Sequence, residues 1–260
     1  MELSSEQQNV LDAFQRGENI FITGPGGTGK TALIKRIHDI VKNSDRNIQI
    51  CAMTGCAAVL LNCEGTKTVH SWAGIGLATG SIEDVAHKVI NNYYKSKVWK
   101  KTDVLVVDEV SMMSKKLFEL LNYIGKYTRR AKLLPFGGIQ LVFSGDFYQL
   151  PPVGSQDDPE SMAFCFESPE WQETFTNTIA LTKIFRQKDP SYCKVLNQIR
   201  VGKLSKSSYQ KLIERVKPYR MESSQMESSE TAPDTAPDTA PDTAPDTAPD
   251  TAPDTAPDTA

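Results

Sequence analysis

The sequence lacks an apolar run long enough to cross a membrane. The stretch Val104–Val107 is four residues, against the roughly 20 that a spanning helix needs. The opening residues MELSSEQQ carry neither the basic nor the apolar region of a secretory signal. Cysteine is sparse and odd in number, five in 260 residues. Free thiols in a reducing, intracellular compartment are therefore expected, with nucleus and cytoplasm both open. Cys51, Cys56 and Cys63 are not followed by a His or Cys pair at finger-like distance, which argues against structural zinc. From Thr231 to the end the chain repeats TAPD and has no aromatic or large apolar residue. Such a segment buries too little surface to offset its ordering entropy, so residues 221–260 are expected to be disordered, with folded material ending near Arg220.

What remains is basic. The whole chain has 29 basic and 32 acidic side chains, a net charge of −3. All 29 basic residues precede Met221, with only 22 of the acids, so the body carries +7. That balance suits a polyanionic partner, although many ordinary domains reach it.

Hydrophobic periodicity predicts helices over 5–16, 30–42, 57–61, 82–94 and 117–127, and strands over 19–23, 48–53, 104–107 and 139–143. Strands alternating with helices imply an α/β fold, a parallel sheet with helices on both faces. After Trp171 the pattern reads as mostly helical, with helices over 192–200 and 208–216. The expected division is an α/β lobe over 1–182, the helical start of an incomplete second lobe over 183–220 and the repeat tail over 221–260.

Three motifs carry chemistry. Gly24-Pro25-Gly26-Gly27-Thr28-Gly29-Lys30-Thr31 fits the P-loop pattern and sits between a predicted strand and a predicted helix. Glycines let several backbone N–H groups converge on one phosphate chain, and the helix N-terminus adds positive potential. Lys30 would meet the β- and γ-phosphates, and Thr31 would supply a hydroxyl to Mg²⁺. Asp108-Glu109 ends the buried Val104–Val107 run, at the strand end where ligands of open α/β sheets bind. Asp108 would hold Mg²⁺ and Glu109 would polarise the attacking water. Gln149, in Gly145–Val153, follows another buried strand. Its amide could donate to phosphate and accept from water, or the segment could be a plain turn.

In their order along the chain, these motifs resemble the petite-integration-frequency helicases, relatives of RecD in the 5′-to-3′ branch of helicase superfamily one. The resemblance runs from Leu3 to about Lys203. LSSEQ at 3–7 is similar to the adenine-reading segment, with Gln7 in the reading position. TGCAA at 54–58 and TVHSWAGIG at 68–76 are similar to DNA-contact motifs, which points to Thr54, Gly55, His70 and Trp72, with core packing the alternative for His70 and Trp72. DEVSMM at 108–113 resembles the Mg²⁺ and water-activating motif. PFGGIQLVFSGDFYQLPPV at 135–153 resembles the signature region and γ-phosphate sensor. IFRQKDPSYCKVLNQIRVG at 184–202 resembles the next motif, with Arg186 in a phosphate-contacting place. An exposed arginine at a helix start is the alternative for Arg186.

The resemblance implies a RecA-like P-loop lobe, ATP and Mg²⁺ as ligands, single-stranded DNA as partner and roles in DNA repair, recombination, replication or telomere maintenance, and it adds the mitochondrion to the open compartments. Tyr93, Tyr94 and Trp99 lie among Lys95, Lys97, Lys100 and Lys101. That cluster reads better as a solvated lysine face with core aromatics than as a DNA platform. The family's second lobe brings further motifs, and nothing after Arg220 resembles them. Two functions follow: a helicase motor completed by a second lobe from elsewhere, including a partner protein, or an ATP- and DNA-binding module with little or no unwinding.

Overall fold

The computed structural model describes residues 3–187 and 189–227. The apolar runs become strands β1 (Ile20–Thr23), β2 (Ile48–Ala52), β4 (Val104–Asp108) and β5 (Gln140–Gly145). Two short strands, β3 (Lys67–Thr68) and β6 (Asn177–Ala180), join them in one parallel sheet of order β3-β2-β4-β5-β1-β6. The helices are α1 (Ser5–Gln15), α2 (Lys30–Lys42), α3 (Gly55–Leu61), α4 (Val69–Ala73), α5 (Ile82–Ile90), α6 (Tyr93–Lys101), α7 (Lys115–Thr128), α8 (Pro169–Thr174), α9 (Pro190–Arg200) and α10 (Lys206–Glu227).

Alternation along each strand builds two cores, one on each face of the sheet. Ile20, Ile22, Val104, Val106 and Val142 face one way, onto Val10 and Phe14 of α1, Ile34 and Ile37 of α2 and Leu61 of α3. Phe21, Leu105, Val107, Leu141 and Phe143 face the other, onto Trp72 of α4, Val89 of α5, Trp99 of α6, Phe118 of α7 and Trp171 of α8. All five residues of β4 are buried, which is why the run is continuous rather than alternating. Inside the signature region, buried Phe136 takes a left-handed φ of 51°. Its N–H donates to Asn122 Oδ1 of α7 at 2.7 Å, and its ring packs on Phe118 and Phe143.

Several expectations need correction. The helix read over 82–94 is two helices, because Asn92 adopts an extended conformation and its Oδ1 accepts from Lys95 N–H at 3.0 Å, starting α6. Helix α6 turns only Ser96 and Trp99 inward, so its apolar signal is faint. Trp99 is core, as read, but Tyr93 and Tyr94 are 68% and 79% exposed and are not. The largely helical reading after Trp171 missed β6, an edge strand that pairs only with β1 among the described residues. The chain divides after Ser208. Helix α9 lies in the first unit, with α1–α8 and the whole sheet. Helix α10 reaches Glu227, past the expected limit at Arg220. The TAPD repeat lies outside the described residues.

Among the described residues no helix is long and apolar enough to cross a membrane, and all five cysteines are free.

Candidate functional site

Of helices α1–α9, eight begin on a Ser, Thr, Asn or Asp whose side chain accepts a backbone N–H of the first turn. Helix α2 is the exception. Its N-cap is Gly29, at φ 91°, with no side-chain cap. A helix start left without a capping side chain keeps its N–H groups for an anion. The loop before it, Gly24–Gly29, leaves the C-terminal end of β1. Thr28 is buried and its hydroxyl donates to Pro25 O at 3.0 Å, which fixes the curl. Lys30 Nζ folds back over the loop and donates to Gly24 O at 2.6 Å and Pro25 O at 3.2 Å. Burial pulls the Lys30 ammonium below its usual range, and Asp146, Asp108 and Glu109 pull it back up. Thr31 follows in the exposed first turn of α2.

The sheet order places two more strand ends beside this loop. Strand β5 pairs with β1 on one side and β4 on the other, in parallel. Asp108 and Glu109 at the end of β4, and Gly145-Asp146 at the end of β5, therefore open onto the same edge as the P-loop. Asp108 is 6% exposed, and its Oδ1 has no hydrogen-bond partner. Burial pushes its carboxyl up; the Ser144 hydroxyl opposes this without reaching hydrogen-bond geometry. Glu109 takes a left-handed φ of 57°. For a non-glycine residue such backbone costs on the order of 1–3 kcal/mol and concentrates at functional sites. Burial, and next the Asp108 charge, raise the Glu109 carboxyl.

The segment after β6 closes the loop from the other side. Leu181 N–H donates to Thr23 O at 2.8 Å, and Phe185 N–H to Gly27 O at 2.8 Å. The chain comes so close at Gly27 that a Cβ there would meet Arg186 Cβ at 2.8 Å. Arg186 is thereby pinned by its backbone beside the phosphate loop, with its side chain exposed. Gln7 is buried in α1; its Oε1 accepts Ser4 N–H at 3.1 Å and its Nε2 donates to Thr28 O at 3.3 Å. That leaves one Nε2 hydrogen and one Oε1 lone pair free. Beside it, Leu3, Gly29, Ala32, Leu33, Arg36 and Phe185 line a pocket of about 230 Å³.

The sequence-expected residues Gln7, Gly24, Gly26, Gly27, Thr28, Gly29, Lys30, Thr31, Asp108, Glu109, Gln149 and Arg186 thus gather along one edge. Gln149 follows β5, is exposed and donates through Nε2 to Asp146 Oδ2 at 3.3 Å. The residues expected at DNA follow β2 and β3, further along the same sheet edge, where β2 pairs with β4 up to Asp108. Thr54 caps α3 and Gly55 opens it, exposed. His70 is half-buried, kept below its usual pKa by burial, and lines a groove of about 360 Å³ with Met53, Leu77, Lys116 and Val153. Trp72 does not join them. It is 3% exposed, 4.3 Å from Trp99 ring to ring, with its indole N–H on Thr102 Oγ1. A base cannot stack on a ring closed off by the core. Asp146, Phe185 and Arg200 were missed as site residues. Each lies in a quoted motif, but nothing linear marks Asp146 and Arg200 as partners 54 residues apart.

The profile of the PIF1-like helicase family matches residues 2–216. The ATP-dependent DNA helicase PIF1 of Emericella nidulans is 42% identical over 217 residues, 82% of this chain and 28% of that protein. The ATP-dependent DNA helicase RRM3 of Saccharomyces cerevisiae is 39% identical over 206 residues, 78% of this chain and 28% of that one. Among solved structures, Pif1 helicase from Candida albicans superposes with a TM-score of 0.75 at 39% identity, over 82% of this chain and 47% of that chain. A Pif1 helicase from Bacteroides in complex with ADP-AlF3 and single-stranded DNA gives 0.68 at 31% identity, over 80% and 48%. The chain therefore spans little more than a quarter of these curated relatives, at 28%, and about half of the solved chains, at 47–48%.

Lys30 is the only cationic side chain within Gly24–Thr31. Lys30→Ala is expected to reduce Mg²⁺-ATP affinity at least tenfold, as loss of a charge-assisted contact worth roughly 1.5–3 kcal/mol implies. Titration calorimetry on the folded variant checks this. Unchanged affinity would show that the loop does not hold the phosphates.

Proposed function

The chain belongs to the PIF1-like helicase family, and from that we propose that its first unit is the ATP-hydrolysing lobe of a 5′-to-3′ DNA helicase, acting in DNA repair, recombination or replication. The observation that carries the proposal is the meeting, at one sheet edge, of an uncapped helix start bearing Lys30 with the Asp108-Glu109 pair.

In this reading the α2 N–H groups and Lys30 take the β- and γ-phosphates once Lys30 leaves the Gly24 and Pro25 carbonyls. The base enters the pocket beside Gln7, whose free amide atoms match the donor and acceptor edge of adenine, and lies against Phe185. Thr31 and Asp108 would hold Mg²⁺: both offer hard oxygen, and the partnerless buried Oδ1 of Asp108 is accounted for by a cation. That ion, when bound, supplies positive charge to the phosphate oxygens. Glu109 orients the attacking water and accepts its proton. Gln149 contacts the γ-phosphate or that water, and Arg186 stabilises the charge that develops on the transferred group.

Single-stranded DNA would cross the surface marked by Thr54, Gly55 and His70. Helix α6 extends the candidate path, since Tyr93 and Tyr94 are exposed beside Lys97, Lys100 and Lys101 and no acid lies on the helix. Aromatic faces among lysines are the usual platform for unpaired bases. Trp72 is left out of this surface.

A second reading is an ATP- and DNA-binding module with little unwinding. The 260 residues span 47% of the Candida albicans Pif1 chain. A polypeptide of these 260 residues, taken alone, is expected to bind ATP but hydrolyse it slowly. Loss of a positioned arginine from across a nucleotide cleft costs roughly 10³–10⁵ in rate. Supplying a second lobe, as a fusion or through a partner protein, is expected to restore turnover stimulated by DNA.

Glu109→Gln separates binding from chemistry. Mg²⁺-ATP affinity should hold within about twofold while phosphate release falls roughly 10²-fold or more; an unchanged rate would remove Glu109 from the mechanism. Fluorescence anisotropy with a labelled single strand tests the DNA surface. Affinity is expected to fall steeply as salt rises, with a log–log slope near −0.7 per phosphate contacted. Alanine at Lys97, Lys100 and Lys101 together should flatten that slope by up to about two. A slope that these changes leave untouched excludes α6 from the path.

A further inference from the structure

Arg200, the last residue of α9, reaches back to the end of β5. Its Nε donates to Asp146 Oδ2 and its Nη2 to Asp146 Oδ1, both at 2.7 Å. This is a two-pronged guanidinium–carboxylate pair, the geometry that fixes both partners in angle as well as distance. The Asp146 side chain is 1% exposed, and the guanidinium also lies 4.3 Å from the Tyr148 ring centre. A carboxylate so buried survives ionised only when it is paired. Burial would raise the Asp146 carboxyl, but the hydrogen bonds from Arg200 and Gln149, with the Tyr148 N–H, hold it below the usual range.

The same carboxylate holds the next turn of chain. Asp146 Oδ1 accepts Tyr148 N–H at 3.2 Å, Asp146 O accepts Gln149 N–H at 2.8 Å, and Asp146 Oδ2 accepts Gln149 Nε2 at 3.3 Å. Gln149 is therefore fixed at backbone and side chain by one residue, and that residue is fixed by Arg200. A cleft of about 270 Å³ joins these groups to Pro25 and Gly26 of the phosphate loop. Both charges of the pair also reach Lys30: Asp146 favours its ammonium and Arg200 opposes it.

We propose that Arg200 is a positioning residue for Gln149, acting through Asp146, and that this clamp lets the site distinguish a nucleoside triphosphate from a diphosphate. With the fork in place, the Gln149 amide is held at the mouth of the phosphate loop, where only a third phosphate extends. Without it, Asp146 turns an unpaired carboxylate toward Lys30 and Gln149 loses its anchor. The α2 N–H groups that would hold the diphosphate lie outside the clamp's own hydrogen bonds. The inference rests on the reading of Gln149 as a γ-phosphate contact.

Equilibrium binding of ADP and of a non-hydrolysable ATP analogue, each with Mg²⁺, tests it on the full chain. Arg200→Ala is expected to weaken the analogue about tenfold, the worth of one hydrogen bond to a charged group, and to change ADP affinity less than about twofold. Gln149→Ala should show the same selective loss, and the double variant should be no worse than Gln149→Ala alone. If Arg200→Ala does not fold, Arg200→Lys keeps the charge beside Asp146 but cannot grip both oxygens; it is expected to show a smaller selective loss. Equal weakening of both nucleotides, no weakening of either, or additive losses in the double variant would overturn the proposal and leave Arg200 as a strut for α9. If Gln149→Ala does not lower the triphosphate preference, the reading of Gln149 itself fails.

Discussion

Parallel hydrogen bonding of β5 to both β1 and β4 is the constraint on which the candidate site depends. The P-loop follows β1 and the acidic pair follows β4, more than 75 residues later in the chain. Neither strand touches the other. Strand β5 sets their spacing and adds Asp146 at its own end. The three strands are buried on both faces, so a slip of one residue would move Val104, Val106 and Val142 from one core to the other. The two cores therefore hold the registry of the site, although neither core supplies a polar group to it.

Electrostatics at this edge are built from charges that would be costly alone. Lys30 is half-withdrawn from water, Asp108 is almost wholly so, and Asp146 is closed off entirely on its side chain. Asp146 is neutralised within the protein by Arg200. Asp108 is not: its Oδ1 has no partner among the described residues. Lys30 rests on backbone carbonyls, a weak substitute for an anion. In the proposed reading, an edge that leaves a half-buried cation and a buried carboxylate without full partners suits a ligand carrying charge of both signs, as a nucleotide phosphate with its metal does.

Much of this was legible in the sequence, for physical reasons that differ by element. Strand β4 announced itself because burial on both faces demands an unbroken apolar run. The loop over Gly24–Thr31 did so because wrapping a phosphate needs glycines at fixed spacing. Helix α6 and strand β6 were missed because each lies at the surface, where apolar spacing is diluted by exposed Lys, Tyr, Asn and Thr. Trp72 misled in the opposite direction. Its neighbours resemble a DNA-contact motif, but the short helix α4 turns the ring inward onto Trp99 while His70 faces a groove. The Asp146–Arg200 clamp could not be read at all, since a pair 54 residues apart leaves no periodic trace.

The central claim is that the ends of β1, β4 and β5 make one nucleotide site. A crystal structure of the chain with a non-hydrolysable ATP analogue and Mg²⁺ tests it most directly. The account predicts the phosphates on the α2 N–H groups, Lys30 moved from the Gly24 and Pro25 carbonyls onto them, the metal at Thr31 and Asp108, and the base beside Gln7 and Phe185. A nucleotide bound in the His70 groove, or bound while Lys30 stays on its own loop, would contradict it.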